Sequence, residues 1–99
     1  MVTSKKNENK LEKKFVIKNK LGLHARPAAL FVQTANRFKC EIEVRKGRHK
    51  VNGKSIMGIM TLAAGIGSTI GISVMGEDAQ EALQAISDLV DSNFGEKGE

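Results

Sequence analysis

Ser68-Thr69-Ile70-Gly71-Ile72-Ser73-Val74-Met75-Gly76-Glu77-Asp78-Ala79-Gln80-Glu81-Ala82-Leu83 changes its period part-way along. Up to Met75 apolar and polar positions alternate, which predicts a half-buried strand with Ile70, Ile72 and Val74 inward. Gly76 closes it. From Ala79 the apolar residues recur at helical spacing, and Ala79, Ala82, Leu83, Ile86, Leu89, Val90 and Phe94 make one stripe. Asp78 with Glu81 three residues later resembles a capping box, with Asp in place of Ser or Thr. Gly95 is the expected stop.

The same two periods alternate upstream. Phe15-Val16-Ile17 reads as a short strand, with Phe15 and Ile17 on one face. Asn19 to Gly22 breaks it. Ala28, Phe31, Val32, Ala35 and Phe38 fall on one side of a helix over 28–38, and Pro27 suits its first turn. His24, Ala25 and Arg26 then stand at the helix entrance. Cys40 to Arg45 alternates as a strand, Lys46-Gly47-Arg48 turns, and His49 to Asn52 returns as the second arm of a hairpin. Lys54 to Ala63 is a compact apolar segment with Ser55 as its N-cap and Gly65 and Gly67 beyond its end. The order is strand, helix, strand, strand, helix, strand, helix. Two or three helices on one face of an antiparallel sheet make an α+β layer fold.

Composition narrows the function classes. The 99 residues allow one compact domain. Residues 14–94 carry it, between a basic, flexible N-terminal extension over 1–13 and a short tail over 95–99. No apolar run is long enough to span a membrane, and the first residues lack the apolar centre of a secretory leader. Cys40, alone, supports neither an internal disulfide nor a thiolate metal cluster. A cytoplasmic protein without a metal or organic cofactor is expected. Net charge is +5, but residues 1–54 hold 15 of the 16 Lys and Arg against four acids, and residues 55–99 hold Lys97 against seven acids. A positive surface suits phosphate, nucleic acid, anionic lipid or an acidic protein.

Several motifs fail on spacing. Gly53-Lys54-Ser55 resembles the end of a P-loop, but the upstream glycine would fall at Arg48. Gly65-Ile66-Gly67 starts like a dinucleotide fingerprint, but Gly71 is one place late and a strand follows. Two histidines and one cysteine among scattered acids do not make a zinc site. RNA binding would need exposed aromatic platforms. The chain has no Trp or Tyr, and Phe15, Phe31 and Phe38 all fit core positions.

Leu23-His24-Ala25-Arg26-Pro27 is different. Free N–H groups at a helix start bind anions. Arg26 adds a permanent cation with bidentate geometry. Gly22 frees the preceding backbone. An unprotonated ring nitrogen of His24 is a nucleophile, so the cluster suits a histidine that takes up and releases a phosphoryl group. In Ser55-Ile56-Met57-Gly58-Ile59-Met60-Thr61-Leu62, Ile59, Leu62 and Ala63 can fill one buried stripe. Ile56, Met57 and Met60 then either belong to the core or lie at a partner-binding surface.

The stretch Asn19-Lys20-Leu21-Gly22-Leu23-His24-Ala25-Arg26-Pro27-Ala28 resembles the phosphohistidine signature of the HPr family, the histidine phosphocarriers of the bacterial sugar phosphotransferase system. Lys54-Ser55-Ile56-Met57-Gly58-Ile59-Met60 resembles the family's second signature, at a fitting distance. The resemblance covers residues 14–94. It implies an open-faced β-sandwich, in which four antiparallel strands are covered on one face by three helices in the order βαββαβα. It implies that His24 receives phosphate through Nδ1 from enzyme I and passes it to enzyme II A domains. Arg26 and the backbone of Ala25 and Arg26 would hold the phosphate, and the carrier would have no turnover of its own. It further implies a regulatory site at Ser55 for an HPr kinase/phosphorylase, docking through Leu23, Ile56, Met57 and Met60, and a monomer. Asn19 to Gly22 also resembles the nitrogen-related regulatory branch of the family, the alternative to sugar transport. A basic RNA-binding module is the remaining alternative.

Overall fold

The computed structural model describes residues 10–96. Strands β1 (Lys10–Val16), β2 (Glu41–Lys46), β3 (His49–Asn52) and β4 (Thr69–Met75) form one antiparallel sheet. Their order is β1-β4-β2-β3. Helices α1 (Ala25–Ala35), α2 (Ile56–Thr61) and α3 (Ala79–Asp91) complete the expected βαββαβα order, followed by a 3-10 turn over Asn93–Gly95.

Register explains why one sheet face is dry. Phe15 pairs with Ile70, and Ile42 and Val44 pair with Val74 and Ile72. Directly opposed side chains share a face, and all six are buried with Phe31 of α1, Ile59 of α2 and Ile86 of α3. The opposite face carries Glu12 opposite Ser73, and Lys14 opposite Gly71. Burying the inner row at about 25 cal/mol per Å² of apolar surface is the main force holding the helices to the sheet.

Three boundaries differ from the sequence reading. First, β1 begins at Lys10, so Lys10 to Lys13, read as tail, belong to the sheet. Leu11 faces Val74 across the ladder, and Lys13 faces Ile72. Lys13 lies on the core side at the sheet edge. Its ammonium sits 5.1 Å from the centre of the Phe15 ring and 3.4 Å from the Ser87 hydroxyl of α3. A lysine can lay its stem on apolar surface and keep its charged end at a polar group. The rest of the 1–13 extension, residues 1–9, lies outside the described residues.

Second, α1 ends at Ala35, and Phe38 packs on the core from the turn beyond it. Third, α3 stops at Asp91, short of Gly95. Asn93 and Phe94 take left-handed φ values of 56° and 57°, so the helix ends in a turn, and Phe94 is buried from that turn. Gly95 and Glu96, expected as tail, are therefore placed, and residues 97–99 lie outside the described residues.

Candidate functional site

The loop between β1 and α1 is held by backbone and by one buried side chain. Ile17 N–H donates to Ser68 O, and Gly67 N–H donates back to Ile17 O, both at 2.8 Å. The fully buried Asn19 donates through Nδ2 to Gly22 O at 2.7 Å. Gly22 adopts φ +70°, and a Cβ there would collide with Ala64 O and lie 2.7 Å from Gly65 Cα. Leu23 N–H then donates to Ala64 O at 2.9 Å. The chain is thus clamped to the 63–65 loop just before it enters α1.

His24 is the N-cap of α1, with extended backbone (φ −79°, ψ −170°) and no side-chain cap bond. Its carbonyl accepts from Ala28 N–H at 3.0 Å. The N–H groups of Ala25 and Arg26 have no partner among the described residues, and Pro27 has none to offer. No acidic residue occupies this first turn. The ring of His24 is half-buried, and its Nε2 lies 3.3 Å from Glu96 Oε2. Arg26 is exposed and makes no ion pair among the described residues. Among the described residues no hydrogen bond joins its guanidinium to His24.

Around His24 lies a shallow depression lined by Leu21, Leu23, Met60 and the Ala63–Gly65 loop. Met57 is 70% exposed, with Met60 at 40% and Ile56 at 38%. The stripe left over by α2 faces outward, and Ile59 and Leu62 are the buried residues of that segment. Two expectations fail here. Leu23 is only 5% exposed, because its backbone bond to Ala64 turns the side chain into the core. It forms the floor of the depression and offers a partner little area. Ala63, expected inside, is exposed because it takes a left-handed φ of 50°, and Ala64 is buried in its place. The residue missed was Leu21, at 69% exposure. Its signal was the Asn19 to Gly22 break, which leaves a lone leucine on a turn with no core to face.

Ser55 caps α2 as expected, its hydroxyl accepting from Gly58 N–H at 3.0 Å. It opens the helix that carries Ile56, Met57 and Met60. His49 lies on β3 with Nε2 at 3.5 Å from the Thr61 hydroxyl. Thr61 is the last residue of α2, the end of a helix that repels anions.

Asp78 stands at the start of α3 but is no capping box. Its carboxylate accepts from Lys39 N–H and Cys40 N–H, each at 2.9 Å, and makes no cap bond of its own. The Lys39 amide, with those of Cys40, holds this carboxyl below its ordinary value. Burial, then the Asp78 carboxylate, pushes the Cys40 thiol up to about 11. These groups serve the α1–β2 connection and not the His24 cluster. Among the described residues no group of histidine, cysteine and carboxylate side chains could hold a metal ion.

The family of the PTS HPr component phosphorylation site matches residues 11–92. The chain belongs to the HPr family. The HPr-like protein Crh of Halalkalibacterium halodurans is 58% identical over 76 residues, covering 77% of this chain and 90% of that protein. The phosphocarrier protein HPr of Neisseria meningitidis is 50% identical over 86 residues, covering 87% of this chain and 97% of the relative. The crystal structure of HPr from Thermoanaerobacter tengcongensis superposes with a TM-score of 0.86 at 53% identity, covering 89% of this chain and 99% of that one. The HPr-like open-faced sandwich expected from the two signatures is thereby established, and with it the function of the family, the phosphocarrier of the phosphotransferase system. No helix among the described residues is long and apolar enough to cross a membrane.

Proposed function

We propose that His24 is the residue that carries the phosphoryl group, taking it through Nδ1 from enzyme I and passing it to enzyme II A domains. The observation that carries this reading is the position of His24 as N-cap of α1, beside amides that have no partner of their own. An added phosphate brings about −1.5 to −2 charge. The open N–H groups of Ala25 and Arg26, with the positive end of the helix, offset part of that charge. Arg26 is free of any acid among the described residues and can turn its fork onto the phosphate. The chain then needs no acid or base catalyst of its own. It is a stoichiometric relay working in the cytoplasm, and its donor and acceptor supply the remaining groups.

Partners dock on the exposed apolar surface of Leu21, Ile56, Met57 and Met60, which lies beside the positive half of the chain and suits acidic partners. Ser55 opens the helix that bears this surface, so a phosphate added there by an HPr kinase/phosphorylase would place charge inside the contact. The carrier acts as a monomer, with this surface left open to each partner in turn. Incubation with phosphoenolpyruvate and enzyme I, followed by intact-mass measurement, tests the reading. One acid-labile phosphate per chain is expected, discharged on adding an enzyme II A domain. No uptake would overturn it.

A further inference from the structure

We infer that Glu96 is a positioning residue for His24: its carboxylate selects the ring tautomer that leaves Nδ1 free to accept the phosphoryl group. The inference rests on the phosphocarrier role of His24 proposed above and adds to it a residue 72 positions away in the chain.

A carboxylate can only accept a hydrogen bond. The 3.3 Å contact between His24 Nε2 and Glu96 Oε2 is therefore attractive when Nε2 carries the proton and repulsive when Nε2 presents a lone pair. A neutral imidazole has one N–H, and the partner of one nitrogen decides which it is. With the proton on Nε2, the lone pair belongs to Nδ1, which has no hydrogen-bond partner among the described residues.

The fold brings Glu96 to this place by a definite route. The left-handed turn at Asn93 and Phe94 reverses the chain at the end of α3, burying Phe94. Gly95 N–H donates to Ser92 O at 3.0 Å, and Glu96 N–H donates to Asn93 O at 2.9 Å. The Glu96 side chain is 14% exposed and that of His24 is 36% exposed. The carboxylate is thus the more buried partner and is held by its own backbone.

The transfer step balances without moving a proton. The Nδ1 lone pair forms the new N–P bond, and the bond from phosphorus to the donor's phosphate-bearing atom breaks, returning its electron pair to that atom. Nε2 keeps its hydrogen throughout, so the phosphorylated ring of His24 gains positive character. Glu96 faces that charge, as a buried carboxylate faces the imidazolium of a catalytic triad.

The test uses the full chain with isotope-labelled histidine. Nitrogen chemical shifts of the neutral His24 ring are read in wild type and in Glu96→Gln, which keeps the size but can donate as well as accept. Wild type should show a proton on Nε2, and the variant should shift towards a mixture of tautomers. Phosphate uptake from enzyme I should slow by about two- to fivefold, the upper part of the range for a solvent-accessible ion pair, since this one is partly shielded. Glu96→Asp, which retains an obligate acceptor, should preserve more of the Nε2–H form than Glu96→Gln. A wild-type ring protonated mainly on Nδ1, or tautomer ratios unchanged in Glu96→Gln, would overturn the assignment. The shifts are measured without enzyme I. A chain that showed the expected tautomer but took no phosphate would instead overturn the carrier role of His24.

Discussion

Replacing Gly22 by alanine should damage the fold and the site together. Gly22 sits at φ +70°, and an L side chain in that region costs about 1–2 kcal/mol. The new Cβ would also run into Ala64 O and lie 2.7 Å from Gly65 Cα. Both are backbone atoms, so a loop must move. The bond at stake is Leu23 N–H to Ala64 O, 2.9 Å long, and leaving a buried amide without its partner costs about 1–3 kcal/mol. Alanine returns about 0.4–1 kcal/mol by restricting the unfolded chain. At mid-range the net loss is about 3 kcal/mol, and at roughly 4–8 °C per kcal/mol the melting temperature should fall by about 12–24 °C. Gly47→Ala is the matched control. It has φ +60° at the β2–β3 turn with nothing within 4 Å of the added atom, so it loses only the dihedral part. Thermal unfolding followed by circular dichroism compares the two. If Gly22→Ala fell no further than Gly47→Ala, the clamp between the His24 loop and the 63–65 loop would be refuted.

Ser55→Ala should lose the cap bond to Gly58 N–H and about 1 kcal/mol of stability. Ser55→Asp should keep its melting temperature, since an acid suits a helix start, yet accept phosphate more slowly at low enzyme I concentration; superimposable rate titrations would limit Ser55 to capping. Arg26→Ala should retain the fold and slow transfer by about one to two powers of ten, the range of a lost charged hydrogen bond; an unchanged rate would show that the helix amides suffice. Asp78 is held below its ordinary carboxyl value, so the stability it contributes is present above that value and lost as pH falls through the folded one. Asp78→Asn should therefore lower the urea midpoint at neutral pH and converge with wild type in strong acid, and parallel curves would refute that role.

What was legible in the sequence was what a single period encodes. The strict alternation of Ile70, Ile72 and Val74 and the stripe of α3 placed the sheet and its cover, because one face of each is buried. β1 was half-hidden because Lys13 occupies an inward position at the sheet edge, where its ammonium lies over the Phe15 ring. Asp78 and Glu81 have capping-box spacing, yet the amides of Lys39 and Cys40, distant in sequence, compete for the same carboxylate and win. The places of His24, Arg26 and Ser55 at helix starts were legible because helix starts have local signatures. The burial of Leu23, the exposure of Leu21 and the approach of Glu96 depend on where loops meet, and no periodicity reports that.

In the proposed relay His24 alone takes the phosphate. Its direct test is intact-mass measurement of His24→Ala and His49→Ala after incubation with phosphoenolpyruvate and enzyme I, alongside their thermal unfolding. His24→Ala should stay folded and gain nothing, because a half-exposed N-cap ring contributes little packing. His49→Ala should gain one acid-labile phosphate like wild type, since His49 lies at the C-terminal end of α2. Phosphate on a folded His24→Ala, or none on a folded His49→Ala, would contradict the account.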